Sequence, residues 1–368
     1  MVSPADAPFM RRALELAKLG WGKTAPNPMV GAVLVAGGKI IAEGYHHFDG
    51  GDHAEIDCLR KVGFKAAGAT LYVSLEPCST KGRTGACTSA IIAAGVKRVV
   101  AGCKDPNPAH AGAAKKILEA AGVECSFGVL EDECRELNFI FNKNIASSEA
   151  LLAIKYAITK DGKIAQKRGE PSEVTSAQSR ADVMRWRELF GATCVGFGTL
   201  VADNPSLAAR VSGGAKCGRR IVFDAALACA GIADLSKYKL FSDEFAARTL
   251  VVCDVSAPAA AEVDLRARGA SVMRVGFSHN SPEFWRELKA RMYAEGVCSL
   301  FVEGGAGVFK SICENRAADY VFEYVADKQW PDGLPAFGRK YFEINAVEKK
   351  LFGSDKFTRG YPQWIQQL

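Results

Sequence analysis

The chain has 368 residues, 48% hydrophobic and 24% charged, the composition of an ordinary globular protein and not of a fibrous or disordered one. At roughly 100–200 residues per domain the length suggests two domains, and no run nears the roughly 18 apolar residues of a membrane span. The formal charge of +6 is a mild excess, compatible with an anionic metabolite and not demanding nucleic acid.

In chain order, Arg11 and Arg12 beside Ala13, Leu14, Leu16, Ala17 and Leu19 give an amphipathic helix, without the long apolar core of a secretory leader. MVGAVLVAGGKIIAEGYH reads as a hairpin: Val33 to Val35 on one strand, Gly37-Gly38 at the turn, Ile40 and Ile41 on the return. HAEIDCLRKVG predicts a helix, TLYVSLEPC a strand, CTSAIIAAGV a helix and VKRVVAGCKDPNP a strand with a polar exit. AGAAKKILEAAGVECSFGV predicts a helix and a strand, and EDECRELNFIFNKNI one further helix. The small, polar IASSEA around 145–150 marks the boundary, giving domains 1–146 and 147–368. The second half opens with the strand LLAIKYAIT and the turn KDGK; ATCVGFGTL, RRIVFDA, TLVVCD, SVMRV and CSLFVEGG are further strands, with SAQSRADVMRWRELF and SPEFWRELKARMYAEG helical by period. Strand–helix alternation predicts α/β domains with mostly parallel sheets.

Twelve cysteines are scattered from Cys58 to Cys313, so a reduced, cytoplasmic protein is expected. Cys58, Cys125, Cys134, Cys194, Cys253 and Cys298 lie in apolar or helical stretches and read as structural. Four other residues carry chemistry. His53 and Glu55 in HAE, then Cys78 in EPC and Cys87, supply one imidazole and two thiols, the donor set of a catalytic zinc with a fourth position open to water. Zinc deaminases use this set with a non-ligand Glu. Zinc lowers the pKa of its water, and Glu55 then moves the proton to the ring nitrogen and the leaving ammonia. Cys87, ahead of an apolar helical run, belongs at a helix N-terminus, where a thiolate is favoured. Eight residues separate the two cysteines, where the short form of the signature has two.

PNPMVGAVLV, GYHHFDGGDHAE, TLYVSLEPCSTKGRTGACTSAIIAAGVKRVV and CKDPNP together resemble the bifunctional deaminase/reductases of riboflavin biosynthesis. So do AIKYAITKDGKIA, VTSAQSRADVMRWREL, GFGTLVADNPSLAAR and LFVEGGAGVFKS in the second half. The resemblance implies a cytidine-deaminase-like αβα domain followed by a dihydrofolate-reductase-like one. It implies hydrolytic deamination of a diamino-phosphoribosylamino-pyrimidinone, then NADPH reduction of the ribosyl group to ribityl. It places Zn2+ on His53, Cys78 and Cys87, with Asn27 and His46 on the pyrimidine and Arg83, Asp105 and Asn107 by ribose and phosphate. Asn27, between two prolines, equally suits a turn, and His46 a strand end. A homo-oligomer, dimer or tetramer, is the family expectation.

The second half has no G-x-G-x-x-G after a strand. VEGGAGVF instead leads from an apolar run into a helix, so Gly304, Gly305 and Gly307 offer close backbone approach to a phosphate, with Gly196 and Gly198 as a second approach. Lys155, Asp203 and Glu303 are polar groups at strand ends, and the resemblance makes them the substrate-side catalytic set. It adds Thr175, Ser176 and Thr199 for cofactor and Leu207, Arg187 and Arg210 for substrate, the arginines as phosphate partners. Departures from the family pattern include Thr80-Lys81 for a His pair, Gly85-Ala86 for Pro-Pro, Gly112-Ala113-Ala114 for G-R-G, Glu173 for an aromatic, Met184 for His and Lys160 for an apolar residue. Three competing readings follow: a deaminase whose second half is only a scaffold, a nucleic-acid editing deaminase, and a structural zinc protein. Dispersed basic residues speak against the second and the poised Glu55 against the third.

Overall fold

The computed structural model describes residues 3–80, 85–108, 110–167, 169–170, 172–336 and 341–365. Two compact units divide at Met1–Ser148 and Glu149–Leu368.

In the first unit, α1 (Ala7–Ala17), β1 (Gly31–Ala36), β2 (Lys39–Tyr45), α2 (Ala54–Arg60), β3 (Thr70–Leu75), α3 (Cys87–Ala93), β4 (Arg98–Cys103), α4 (Ala113–Ala120), β5 (Glu124–Phe127), α5 (Glu131–Leu137) and α6 (Phe139–Ser147) follow one another. The sheet order is β2-β1-β3-β4-β5, with β1 antiparallel to both neighbours and β3, β4 and β5 parallel. Side-chain alternation sorts the two faces. Leu34, Leu71, Val73 and Val99 pack with Cys58, Leu59 and Ile91 on one face; Val33, Tyr72 and Val100 meet Met10 and Leu14 of α1 on the other. The predicted hairpin is present, with Gly37 and Gly38 both at positive φ. Gly44 lets α2 lie directly on β2: a Cβ there would stand 2.4 Å from the Cys58 nitrogen. That contact fixes the helix carrying the HAE residues.

The helix expected over EDECRELNFIFNKNI is two helices. Asn138 breaks it, because its amide donates to the Met29 carbonyl (2.9 Å) and its oxygen accepts from the Met29 N–H (2.8 Å). A tertiary bridge to a buried backbone outweighs local helix period.

The second unit contains β6 (Leu151–Thr159), β7 (Lys163–Ala165), α7 (Ala177–Leu189), β8 (Ala192–Gly196), α8 (Phe197–Asp203), β9 (Ala209–Val211), β10 (Gly214–Lys216), β11 (Arg219–Phe223), α9 (Lys239–Ser242), β12 (Thr249–Cys253), α10 (Ala259–Ala267), β13 (Ser271–Arg274), α11 (Pro282–Ala294), β14 (Ser299–Gly304), α12 (Ala306–Glu314), β15 (Tyr320–Ala326), β16 (Leu334–Pro335), β17 (Phe342–Phe352) and β18 (Asp355–Trp364). Its large sheet runs β13-β12-β11-β8-β14-β6-β15-β18-β17, parallel through β15 and closed by the antiparallel β17–β18 hairpin. Both faces of the parallel part are covered, as such sheets require. Ile154, Leu300, Val302, Cys194, Ile221 and Val252 lie in one core, Val195, Val222, Val251 and Val272 in the other.

Candidate metal centre and reductase cleft

His53 is the N-cap of α2, Cys78 lies just past β3, and Cys87 opens α3. Three element ends thus converge. The His53 Nδ1 stands 3.5 Å from the Cys78 Sγ and 3.3 Å from the Cys87 Sγ, and the three donor atoms lie within 4.8 Å of one another. The Cys87 backbone N–H donates to the Cys78 sulfur at 3.2 Å. The Cys87 thiol and then His53 hold the Cys78 thiol well below its ordinary range. One imidazole and two sulfurs at these separations suit a zinc ion, and the group borders a cavity of about 170 Å³ that leaves a face open to a small molecule.

Glu55, in the first turn of α2, is 3% exposed and lines the same cavity. Burial pushes its carboxyl up. A carboxyl so raised exchanges a proton near neutral pH more readily than a solvated one. Asn27, His46 and Asp105 also line the cavity. The Asn27 Nδ2 is 3.1 Å from the Asp49 Oδ1 and 3.3 Å from the His46 Nε2, and the His46 Nδ1 is 2.8 Å from the Asp52 carbonyl. The His46 and His53 rings meet edge to face at 5.7 Å. Asp105 forms a turn by accepting from the Asn107 N–H at 2.8 Å, and burial raises its carboxyl. Asn107 is not among the cavity's lining residues. Arg83 lies outside the described residues.

Glu76 escaped the sequence reading although it sits inside EPC. Its buried carboxylate accepts from the backbone N–H groups of Asp105 (3.2 Å), Gly112 (3.0 Å) and Ala114 (3.1 Å). It therefore ties the loop bearing Asp105 to the strand that presents Cys78. Its place between Leu75 and Pro77 was the available signal.

In the second unit, Glu303 occupies an irregularity in β14. Val302 pairs with Cys194 and Gly304 with Val195, so Glu303 is the extra residue. The bulge brings its carboxylate to Lys155 (Nζ–Oε2 3.5 Å) and to a two-pronged contact with Arg187, whose Nη2 donates at 3.1 Å and whose Nε reaches the other oxygen. Burial pushes Glu303 up, but Arg187 and Lys155 together carry it below its ordinary value; burial draws Lys155 down. Arg187 also donates to the Ala208 carbonyl at 3.1 Å. Arg187, expected at a substrate phosphate, has its guanidinium committed to Glu303 and to this carbonyl. Asp203 ends α8 as an exposed residue, with its carboxyl raised by partial desolvation. Arg210 is exposed on β9, and Leu207 is buried at φ 56°.

A separate cleft of about 400 Å³ opens where β8, β11 and β14 end. Gly196, Gly198, Gly305 and Gly307 line it. A Cβ on Gly196 would come within 2.9 Å of Val308, and one on Gly305, whose φ is 105°, within 3.1 Å of the Gly196 backbone. These glycines keep open a backbone cradle at the start of α12, which fits the phosphates of a dinucleotide such as NADPH. A Cβ on Gly304 would meet the Thr199 hydroxyl at 3.2 Å, which places Thr199 beside the cradle. Thr175 and Ser176, expected to face cofactor, are not among the cleft's lining residues. Ser176 caps α7 by accepting from the Ser179 N–H and donates its own N–H to Asp355 at 2.7 Å; the Thr175 carbonyl accepts from Arg180. His279 and Trp285 line the cleft and were not anticipated; the His279 Nδ1 is 2.7 Å from Asp254. No sequence signal marked that pair, which joins loops 25 residues apart.

Among the described residues no helix is long and apolar enough to cross a membrane. A family model of the cytidine and deoxycytidylate deaminase zinc-binding region matches residues 4–103, and one of the RibD C-terminal domain matches residues 150–328. Riboflavin biosynthesis protein RibD of Actinobacillus pleuropneumoniae is 38% identical over 327 residues, covering 88% of this chain and 84% of that one. The RibD of Aquifex aeolicus is 38% identical over 335 residues, covering 91% and 90%. Among solved structures, a diaminohydroxyphosphoribosylaminopyrimidine deaminase/5-amino-6-(5-phosphoribosylamino)uracil reductase of Thermotoga maritima superposes with a TM-score of 0.80 at 32% identity, covering 98% of this chain and 99% of that one.

Proposed function

The chain belongs to the RibD family of bifunctional riboflavin-biosynthesis deaminase–reductases, and from that premise we propose that its two units catalyse consecutive steps on one phosphoribosyl-pyrimidine. Residues 1–146 deaminate 2,5-diamino-6-(5-phosphoribosylamino)pyrimidin-4(3H)-one to 5-amino-6-(5-phosphoribosylamino)uracil. Residues 147–368 reduce the ribosyl group of that product to ribityl. The observation that carries the reading is the convergence of His53, Cys78 and Cys87 beside the buried Glu55.

His53, Cys78 and Cys87 would hold zinc, which when bound acidifies water. Glu55 takes a proton from the attacking water and delivers it to the ring nitrogen; it then takes the second proton from the new hydroxyl and delivers it to the amine, which leaves as ammonia as the C–N bond breaks. Asn27 and His46 hold the ring, and Asp105 and Asn107, with Arg83, border the ribose and phosphate. In the second unit Gly196, Gly198, Thr199, Gly304, Gly305 and Gly307 would hold NADPH, which when bound supplies the hydride. Lys155, kept in place by Glu303, donates toward the carbonyl oxygen as charge grows on it. Arg187 orients Glu303. Asp203 and Leu207 line the sugar, and the exposed Arg210 meets the phosphate. The same reading makes the protein a cytoplasmic homo-oligomer, dimer or tetramer, supported by family membership.

The test is one reaction followed by two signals: ammonia release and NADPH oxidation from the diamino-pyrimidinone. The expected result is one NADPH oxidised per ammonia, with ammonia alone when NADPH is withheld. Ammonia without NADPH oxidation would return the scaffold reading of the second unit, and neither signal would overturn the assignment.

A further inference from the structure

We propose that Asp49 is a positioning residue for the deamination: its carboxylate holds the Asn27 amide with the carbonyl oxygen left for the ligand, so the pocket takes a pyrimidine edge that presents N–H groups. The proposal rests on the deaminase reading above.

The Asn27 amide offers two hydrogens and one oxygen. Its nitrogen lies 3.1 Å from the Asp49 Oδ1 and 3.3 Å from the His46 Nε2. An ionised carboxylate only accepts, so the nitrogen and not the oxygen must face Asp49. The His46 Nδ1 lies 2.8 Å from the Asp52 carbonyl, which also only accepts. That nitrogen therefore carries the ring hydrogen, and the His46 Nε2 is a bare acceptor. Both Asn27 hydrogens are consumed. A flipped amide would set its oxygen against a carboxylate and a lone pair at once. The oxygen is thus the atom of this side chain available in the cavity that Asn27 and Glu55 share.

The consequence is directional. In a 2-amino-4(3H)-pyrimidinone the carbon that loses its amine bears that NH2 group and is flanked by N3–H on one side and by a bare ring nitrogen on the other, with the C4 carbonyl beyond N3. An acceptor at Asn27 takes the side that presents the NH2 and N3–H groups and repels the bare nitrogen and the carbonyl. Asp49 is not among the residues lining the cavity, so it acts through Asn27. The loops themselves are held by backbone bonds, Asn27 N–H to the Thr24 carbonyl at 2.8 Å and Asp49 N–H to the Lys23 carbonyl at 3.3 Å, which a side-chain substitution leaves in place.

The experiment uses the zinc-loaded full chain and steady-state ammonia release, with zinc content measured on each sample. Asp49→Ala is expected to raise KM about tenfold while kcat stays within about threefold, the loss of one charge-assisted hydrogen bond. Asp49→Asn, which keeps an acceptor oxygen, is expected to fall between it and the wild type. In an Asn27→Ala background the Asp49→Ala penalty should vanish, since the amide it orients is gone. An unchanged KM in Asp49→Ala overturns the proposal. So does an additive penalty in the double variant, or a joint fall of zinc and kcat, which would mean a purely structural role. Absence of ammonia release from the wild-type chain would instead defeat the deaminase reading beneath it.

Discussion

Asp6 offers a quantitative test of what holds the first unit together. Its side chain is 3% exposed, where α1 meets the sheet. One oxygen accepts from the Tyr72 hydroxyl and the Arg98 Nη1, both at 2.8 Å; the other accepts from the Arg98 Nη2 at 2.9 Å and the Ser3 N–H at 2.8 Å. The Arg98 contact leads in holding this carboxyl down to about 2 from 3.8. The difference, 3.8 − 2, corresponds to about 2.4 kcal/mol of stabilisation at neutral pH. The folded value is depressed, so this contribution is complete above about pH 5, falls to about half near pH 3, and is lost as pH drops through the folded value. Asp6→Asn removes the charge and sets an NH2 group among donors. Hydrogen exchange of peptides from β3 and β4, read by mass spectrometry, reports the stability of this unit alone. The wild-type advantage over Asp6→Asn should be about 2 kcal/mol at pH 6 and about half that at pH 3. An advantage that does not change with pH, or one below about 0.5 kcal/mol at pH 6, would refute the reasoning.

Three further outcomes follow from the geometry. Glu303→Gln leaves Lys155 and Arg187 without their counter-charge; NADPH oxidation should fall at least about a hundredfold, with ammonia release from the same chain unchanged. Gly305→Ala places a Cβ 3.1 Å from the Gly196 backbone at a φ of 105°. It should weaken NADPH binding by at least about tenfold, read by quenching of Trp285 at the cleft. Asn138→Ala removes both bonds to the buried Met29 backbone and should destabilise the first unit by about 2–4 kcal/mol in urea titrations.

What the sequence disclosed divides along physical lines. The metal centre was legible because its donors sit at element ends, where local pattern is strongest: a His before an amphipathic helix, a Cys after an apolar strand, a Cys opening a helix. The Gly37-Gly38 hairpin was legible for the same reason. The partnership of Arg187 with Glu303 was not, since 116 residues separate them and nothing local marks an arginine as a carboxylate's partner rather than a phosphate's. The break at Asn138 was hidden because α5 and α6 share a helical period, and the bridge that interrupts them reaches back 109 residues. Ser176 carried a legible helix-capping signal, with Ser179 three residues on, which the family-based cofactor role obscured. The β17–β18 hairpin passed unread: β17 alternates exposed and half-buried residues along an edge of the sheet, so its apolar pattern is weak.

The most direct test of the account is ammonia release by Glu55→Gln at measured zinc content. The account predicts one zinc per chain in both wild type and variant, with turnover in the variant lowered by at least about a hundredfold. Wild-type turnover by Glu55→Gln, or a purified chain that binds no zinc, would contradict it.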